Sequence, residues 1–359
     1  MTKMSPGTAV DHVVVDPGAL ARFVEGVLAT RGMSAEDATI LAAALVWADL
    51  RDVGSHGVFR LPRYLGFMDR GDMDPKAVPE LKLDLPAALV FEAHKAAGPI
   101  AMMRAMRAAC EHAKATGLCY AIVSHTTHTG AIGYVANWAA ERGFAAIVAS
   151  AGSPNMAYHG ARVPSLSTSP IAIAVPGTDG PGGGPLALDM STAILGIGRL
   201  AQMKERGEQL PEGVALDDDG RPTTDPNRGN LPLPLGGAKG SGLALMLECL
   251  AGVMAGTPIL AGMIAPGAKA RHSHNGIISV LDVAPFRALA DFKADIGRLV
   301  AAVKQLPRRD GVDELLLPGE RGARAYRASR AGGAVISAGT WGELEKLAAK
   351  VGVPLPAAR

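Results

Sequence analysis

A segment of fifteen residues near the start of the chain, 49–63, concentrates side chains that can exchange a proton and bind an anion. It contains the hydroxyl of Ser55, the imidazole of His56 and the guanidinium of Arg60, with a glycine on each side of the Ser-His pair. Glycine allows a backbone to approach a ligand closely. A proton donor beside a cation suits a small substrate that carries a carboxylate and a reducible centre.

A second imidazole, His128, lies in segment 125–133, between an apolar stretch and a helical pattern. Open sheets bind ligands in loops of this kind, where helix N–H groups are available to anions. We therefore predict that His128 contacts a cofactor or exchanges a proton near neutral pH. His125 and His128 could share a metal ion, but no HExxH pattern supplies a third ligand, so we expect no metal.

Two further charged residues follow apolar or glycine-rich stretches. Asp189 stands at the end of an apolar strand pattern, where a buried charge is costly unless it is paired or hydrogen-bonded. Lys239 stands in the glycine-rich segment 236–242, just before an apolar helix, and suits a ribose or pyrophosphate. The spacings of a P-loop and of a GxGxxG fingerprint are both absent. The sequence therefore argues against a P-loop nucleotidase and an ordinary Rossmann domain.

The remaining histidines carry weaker signals. His159 lies in segment 157–160, which is a plausible cleft loop. His272 and His274 lie near Arg271, and this basic segment is interpreted as a surface loop.

Each main motif also has a structural interpretation. Segment 49–63 could be a solvated connection between two helices, and His128 could be a loop histidine bonded to a backbone carbonyl. Asp189 could be a structural partner of a cation, or it could orient a catalytic group in the way that a triad carboxylate does.

The elements that position these residues are predicted from apolar periodicity and capping residues. Asp16 and Ser34 are predicted N-caps, and Thr340 with Glu343 is predicted to be a capping box. The alternation of helices and strands indicates an α/β or α+β fold. Helices are predicted at 17–31, 34–50, 61–70, 98–116, 133–142, 192–208, 242–256, 286–306 and 340–350, and strands at 88–92, 119–124, 144–150, 171–175, 186–190 and 277–283.

The bulk composition is that of an enzyme-sized globular chain. Its 359 residues are 48% hydrophobic, and the net charge of +2 gives no reason to expect a nucleic-acid or membrane partner. The three cysteines are far apart and lack CxxC spacing, which favours reduced thiols and a cytoplasmic location. There is no apolar run long enough for a signal peptide or a membrane span.

Six motifs occur in one order along most of the chain, and together they resemble the type-2 malate/L-lactate dehydrogenase family. That family also includes ureidoglycolate and sulfolactate dehydrogenases, diketogulonate reductase and piperideine-2-carboxylate reductase. The likeness extends from about residue 17 to residue 353. The motifs are residues 49–64, 128–131, 188–190, 222–226, 235–243 and 317–320.

The resemblance implies a non-Rossmann nicotinamide-binding fold of the malate/L-lactate dehydrogenase type and a homodimer. The expected organisation is a helical N-terminal region (13–78) with the substrate motif and a mixed-sheet cofactor domain (79–213). The third segment is a second lobe with the Lys239 loop (214–310). The fourth is a C-terminal segment that packs back on the N-terminal region (311–359).

The resemblance also implies roles for individual residues. Ser55, His56 and Asp189 would form the relay and proton donor, and His128 matches the proton acceptor of the hydroxy-acid members. Substrate contacts are expected from Arg60, Ser153 and His159. The expected cofactor contacts are His128, Gly130, Ala131, Ser153, Asp189, Met190, Ser191, Lys239, Pro318, Gly319 and Glu320.

The function implied is reversible hydride transfer between NAD(P)H and C2 of a small 2-hydroxy or 2-oxo acid. The alternatives are reduction of cyclic imine carboxylates, and a binding or regulatory protein that has lost turnover. Asp179, in a loop without Arg or Lys, favours NAD over NADP. Segments 127–130 and 238–242 depart from the usual family pattern, which leaves the identity of the substrate open. The choice between His56 and His128 as the acid-base group is also open.

Overall fold

The computed structural model describes residues 12–180, 182–258, 260 and 273–359. The chain forms two compact units. The helical unit contains the chain up to Gly71 together with Arg321–Arg359, and the sheet unit contains Asp72–Glu320.

The helices and strands are numbered in chain order. The helices are α1 (Pro17–Ala29), α2 (Ala35–Leu50), α3 (Leu61–Asp69), α4 (Gly98–Thr116), α5 (Ile132–Ala140), α6 (Ile197–Glu205), α7 (Ala238–Glu248), α8 (Leu289–Lys304), α9 (Glu320–Gly332) and α10 (Ala338–Val351). Short helical turns occupy Gly54–His56, Val58–Arg60 and Cys249–Val253, the last of them π-helical. The strands are β1 (His12–Val15), β2 (Glu80–Leu85), β3 (Ala88–Glu92), β4 (Leu118–Thr126), β5 (Phe144–Ala151), β6 (Met156–Ala157), β7 (Pro164–Leu166), β8 (Ile171–Val175), β9 (Leu186–Met190), β10 (Ala215–Leu216), β11 (Leu231–Pro232), β12 (His274–Asp282) and β13 (Ala334–Ser337).

Helix ends follow the capping chemistry of the sequence in most places. The Asp16 carboxylate accepts the Ala19 N–H at 2.8 Å, and the Ser34 hydroxyl accepts the Asp37 N–H at 3.2 Å. The predicted cap at Thr340 is wrong. Ser337 accepts the Thr340 N–H, so Thr340 already lies inside the first turn of α10.

A seven-stranded mixed sheet forms the centre of the sheet unit, with strand order β2-β3-β4-β12-β5-β8-β9. The β3–β4 pair is parallel and the other pairs are antiparallel, which confirms the predicted α/β class with a mixed sheet. β12 lies between β4 and β5, although more than 120 residues separate it from β5 in sequence.

Successive side chains of a strand point to opposite faces of the sheet, and helices pack against these side chains. Gly276 of β12 faces Met102 of α4, and a Cβ built at Gly276 would lie 2.3 Å from the methionine sulfur. The neighbouring Ile277 instead joins a buried cluster with Leu247 and Ala251, which belong to α7 and the π-helical turn. The two faces of β12 are therefore both packed.

Two predicted helices differ from the observed ones by four or more residues at one or both ends. The predicted helix 192–208 is helical only over α6, because Thr192 and Ile194 donate backbone hydrogen bonds to Thr168 and Leu233 instead. The helix predicted from residue 242 begins four residues earlier, at Ala238, and gives way to the π-helical turn after Glu248. Along the part of the chain that the structure describes, no helix is both long and apolar enough to cross a membrane.

Candidate active site

The end of α2 and the two short turns after it hold the Ser-His-Arg motif of the helical unit. Asp49 is buried, and its Oδ2 atom accepts the N–H of Val58 at 2.8 Å. Gly57 has no room for a side chain, since a Cβ there would lie 1.8 Å from Asp49 Oδ1. The Asp49 carboxyl group therefore fixes the turn that carries the motif, and only glycine fits over it.

Within this turn the three functional groups predicted from the sequence lie together. The Ser55 hydroxyl is 3.0 Å from Nδ1 of His56, and Nε of Arg60 donates to the Ser55 carbonyl oxygen at 2.5 Å. Since the Ser55 hydroxyl is bonded to Nδ1, a proton exchange between His56 and a ligand would use Nε2. The arrangement places an imidazole and a fork-shaped cation side by side.

Burial controls the protonation of this cluster. Desolvation, with a smaller contribution from the Arg60 charge, lowers the pKa of His56 to about 4. Desolvation raises the pKa of Asp49 to about 8, although the Val58 N–H opposes the rise. At neutral pH the His56 ring is therefore neutral and Asp49 is largely protonated, while Arg60 keeps its charge even though burial lowers its pKa.

We expect Asp49→Asn to change how stability depends on pH. A carboxyl group with a raised pKa binds its proton more tightly in the folded state. Its contribution to the free energy of unfolding is therefore fully present below about pH 4. That contribution is lost as the pH rises, until loss is complete above about pH 8. The asparagine side chain keeps an oxygen acceptor and cannot ionise. As the pH rises from 5 to 9, the free energy of unfolding of the variant should therefore increase relative to that of wild type by on the order of a few kcal/mol.

Urea unfolding at pH 5, 7 and 9 measures this difference, and Asp52→Asn is the matched control because Asp52 is exposed at the same helix end. Parallel pH profiles for wild type and Asp49→Asn would contradict the assignment of a raised pKa to Asp49.

In the sheet unit, His128 lies in the loop that joins β4 to α5. Its Nδ1 atom accepts the N–H of Gly130 at 3.3 Å, and Gly130 has a φ of +68° that suits glycine. This hydrogen bond places the proton of the neutral ring on Nε2. The start of α4 supports the loop, because a Cβ at Gly98 would lie 2.4 Å from the His128 carbonyl oxygen.

His274 is a site residue that the sequence interpretation missed. It was expected in a surface loop, but it begins β12, pairs with Thr126 of β4 and is partly buried. Its ring lies edge-on to His128, with 5.9 Å between ring centroids and 84° between the planes. The apolar run begins only at Ile277, after Asn275 and Gly276, so no signal in the sequence indicated that the strand starts at His274. His272 and Arg271 lie outside the described residues.

Asp189 is exposed, so the expectation of a buried carboxylate is wrong. It lies in β9 of the sheet unit, and its Oδ2 atom accepts the N–H of Gly133 at 3.0 Å, in the first turn of α5. A helix N-terminus stabilises a carboxylate in this position. A Cβ at Gly133 would lie 2.4 Å from the same oxygen, so this contact requires glycine.

Lys239 lies in the first turn of α7 and not in a preceding loop. Gly236 and Gly237 before it have φ values of +61° and +62°, and a Cβ at Gly237 would lie 3.2 Å from the ring of His159. Among the residues that the structure describes, no side chain caps this helix start. A cation at such a helix N-terminus fits an anionic pyrophosphate, which is what a dinucleotide cofactor offers.

The other predicted cofactor residues are held by contacts within the sheet unit. Ser153 follows β5 and is partly buried, and the Ser191 hydroxyl bonds to the backbone of Ala193. In the turn 317–320, the Glu320 carboxylate accepts the Leu317 N–H and pairs with Lys304 at 2.6 Å.

Asp179 forms an ion pair with Lys293 of α8, at 2.8 Å. The loop that favoured NAD therefore has a cation beside it. Among the described residues, no three His, Cys, Asp or Glu side chains are arranged to hold a metal ion.

Comparison with known proteins points to one family. The family model described as malate/L-lactate dehydrogenase matches residues 15–345. A malate dehydrogenase of Pyrococcus horikoshii is 31% identical over 356 residues, which covers 96% of this chain and 97% of that protein.

Solved structures extend the likeness to three dimensions. The structure of malate dehydrogenase from Pyrococcus horikoshii has a TM-score of 0.86 at 29% identity and covers 99% of both chains. A delta1-piperideine-2-carboxylate reductase from Pseudomonas syringae has a TM-score of 0.79 at 27% identity, over 93% of this chain and 99% of that one. The non-Rossmann fold expected from the sequence motifs is thereby confirmed.

Proposed function

The chain belongs to the malate/L-lactate dehydrogenase family and is an oxidoreductase, and from this premise we propose that it transfers a hydride between a nicotinamide cofactor and C2 of a small 2-hydroxy or 2-oxo acid. The observation that carries the proposal is the turn of the helical unit. It holds a neutral imidazole, His56, beside a buried guanidinium, Arg60.

In this proposal Arg60 binds the substrate carboxylate through two N–H groups, because a guanidinium fork matches a carboxylate. His56, neutral at pH 7, accepts the hydroxyl proton of the 2-hydroxy acid on Nε2 during oxidation and returns it during reduction. Ser55 orients the ring through Nδ1. Since the Arg60 charge contributes to the low pKa of His56, a bound carboxylate offsets that charge and favours the protonated ring.

A bound nicotinamide dinucleotide supplies the hydride donor or acceptor. We propose that Lys239 and the start of α7 bind its pyrophosphate. Asp189, in this proposal, holds the start of α5 in place through Gly133. His128, whose ring is held by the Gly130 N–H, contacts the cofactor in this proposal. The other proposed cofactor contacts are Gly130, Ala131, Ser153, Met190, Ser191, Pro318, Gly319 and Glu320, with His159 and Ser153 near the substrate.

The four-segment organisation, a homodimeric assembly and a cytoplasmic location are further proposals, supported by the family. The NAD preference is also a proposal. It rests on Asp179 in a loop without Arg or Lys, and the ion pair of Asp179 with Lys293 is the feature that opposes it, because a cation suits a 2′-phosphate.

A panel of 2-oxo acids, assayed with NADH and with NADPH, tests the function. We expect oxidation of at least one of the two cofactors with a compact 2-oxo acid such as oxaloacetate, pyruvate or sulfopyruvate, because Arg60 needs only a carboxylate next to the reacting carbon. Binding of cofactor without turnover across the whole panel would contradict the proposal and favour a binding or regulatory protein.

A second candidate is the reduction of cyclic imine carboxylates, favoured by the likeness to the piperideine-2-carboxylate reductase. The same Arg60 would bind the carboxylate, and the proton would go to nitrogen. Pyruvate assayed with and without methylamine separates the two, since reduction only in the presence of the amine would favour the imine.

A further inference from the structure

We propose that His274 is a positioning residue that sets the plane of the His128 imidazole. Gly152 makes this possible because it has no side chain and leaves room for the His274 ring. This inference rests on the proposed function, since it concerns an imidazole assigned there to cofactor binding. The observation behind it is the edge-on contact of the two rings in the sheet unit.

His274 is held in position by the pairing of β12 with β4. Its partner in the register is Thr126, two residues before His128, and the pairing of β12 with β4 is irregular between His274 and Gly276. Such an irregularity changes the direction of a side chain relative to a regular strand. The next residue, Asn275, is fully buried and bridges Thr257 to the His125 N–H through its amide.

Gly152 lies directly against the His274 ring. A Cβ built at Gly152 would lie 2.5 Å from both Cδ2 and Nε2 of His274, so a side chain there would displace the ring. The Gly152 N–H donates to the buried Ser167 hydroxyl at 3.1 Å, and this hydroxyl is 2.7 Å from that of Ser169. These hydrogen bonds hold the Gly152 backbone in place, so a methyl group there would push against the His274 ring.

The contact with His274 constrains the orientation of the His128 ring. The Gly130 N–H selects the tautomer of the His128 ring through Nδ1, but a hydrogen bond to one ring nitrogen does not by itself define the ring plane. The perpendicular ring of His274 adds a second constraint, of the edge-to-face kind that aromatic rings prefer. Together they direct the Nε2–H of His128 along one line.

The test uses His274→Ala, His274→Phe and Gly152→Ala in the full-length enzyme. We expect His274→Ala and Gly152→Ala each to lower kcat roughly 10- to 100-fold, the scale for a catalytic group displaced by about 1 Å. KM for the carboxylate substrate should stay within about twofold, since Arg60 is unchanged. His274→Phe should recover most of the activity because it restores a ring. The double variant should be no worse than the single ones, because both changes remove the same contact.

A readout independent of turnover is the ¹⁵N spectrum of histidine-labelled enzyme. In wild type and His274→Phe, His128, assigned with a His128→Asn sample, should give sharp resonances of the Nε2–H form. In His274→Ala the same tautomer should give broadened resonances, because the ring plane is no longer held. His112→Ala is the control, since that ring bonds to the carbonyl of Pro86.

Additive losses in the double variant, no recovery with phenylalanine, or an unchanged His128 spectrum in His274→Ala would each overturn the inference. A wild-type enzyme without turnover would contradict the proposed function instead, and the spectrum would still decide the role of His274.

Discussion

Replacing Arg60 by alanine is expected to lower kcat/KM for the preferred 2-oxo acid by roughly a thousandfold. The guanidinium is only 8% exposed, and its Nε atom is committed to the Ser55 carbonyl, which leaves the outer N–H groups for the substrate. Removal of one partner from a desolvated, hydrogen-bonded charge pair costs about 2–5 kcal/mol, and each 1.4 kcal/mol is a factor of ten.

The two matched variants for this experiment are Arg60→Lys and Arg63→Ala. Lysine keeps the charge but lacks the planar fork, so a partial loss of roughly 10- to 100-fold is expected. Arg63 is exposed and lies over the Phe67 ring at 5.3 Å, so its removal should leave kcat/KM almost unchanged. An Arg60→Ala enzyme within about twofold of wild type would remove Arg60 from substrate binding.

The second large effect is expected for His56→Asn, which should lower kcat about 10²- to 10⁴-fold, the usual contribution of general acid-base catalysis. Asparagine approximates the Nδ1 side of the ring and cannot accept a proton. Ser55→Ala should have a smaller effect, because Ser55 only orients the ring.

The pH profile of the wild-type enzyme provides a sharper measurement of the same residue. A neutral His56 is needed to accept a proton during oxidation, and its pKa of about 4 keeps it neutral over most of the accessible range. For oxidation of the 2-hydroxy acid, kcat/KM should therefore be lost only as the pH falls toward 4. A loss centred near pH 6.5 would contradict the low pKa, and wild-type turnover in His56→Asn would transfer the acid-base role to another group.

Local signals in the sequence predicted the local parts of the structure. The caps Asp16 and Ser34 accept hydrogen bonds from the backbone of their own helices, and α4 ends at Gly117, which adopts the left-handed conformation that glycine favours. The Ser55–His56–Arg60 cluster was predictable for the same reason, since its members lie within six residues of one another.

Contacts between distant segments were not predictable in this way. The burial of a strand-end carboxylate depends on neighbouring elements, so Asp189 was expected to be buried and is exposed. His274 gave no local sign of its contact with His128, because the register of β12 against β4 decides it. The exposed strand β2 was missed because every one of its side chains is solvent-exposed, and its alternating leucines do not lie in a core.

The position of β12 has a consequence for the order in which the sheet unit assembles. β4 and β5 are hydrogen-bonded to β12 on both of its sides, and they do not pair with each other. During synthesis, both strands therefore leave the ribosome more than 120 residues before their shared partner. Until β12 follows, β4 can pair with β3 and β5 with β8, but the other edge of each strand has no partner. Non-local pairing of this kind slows folding, and unpaired strand edges promote association between unfinished chains. Completion of β12 at Asp282 is thus the step that ends the exposure of these two edges.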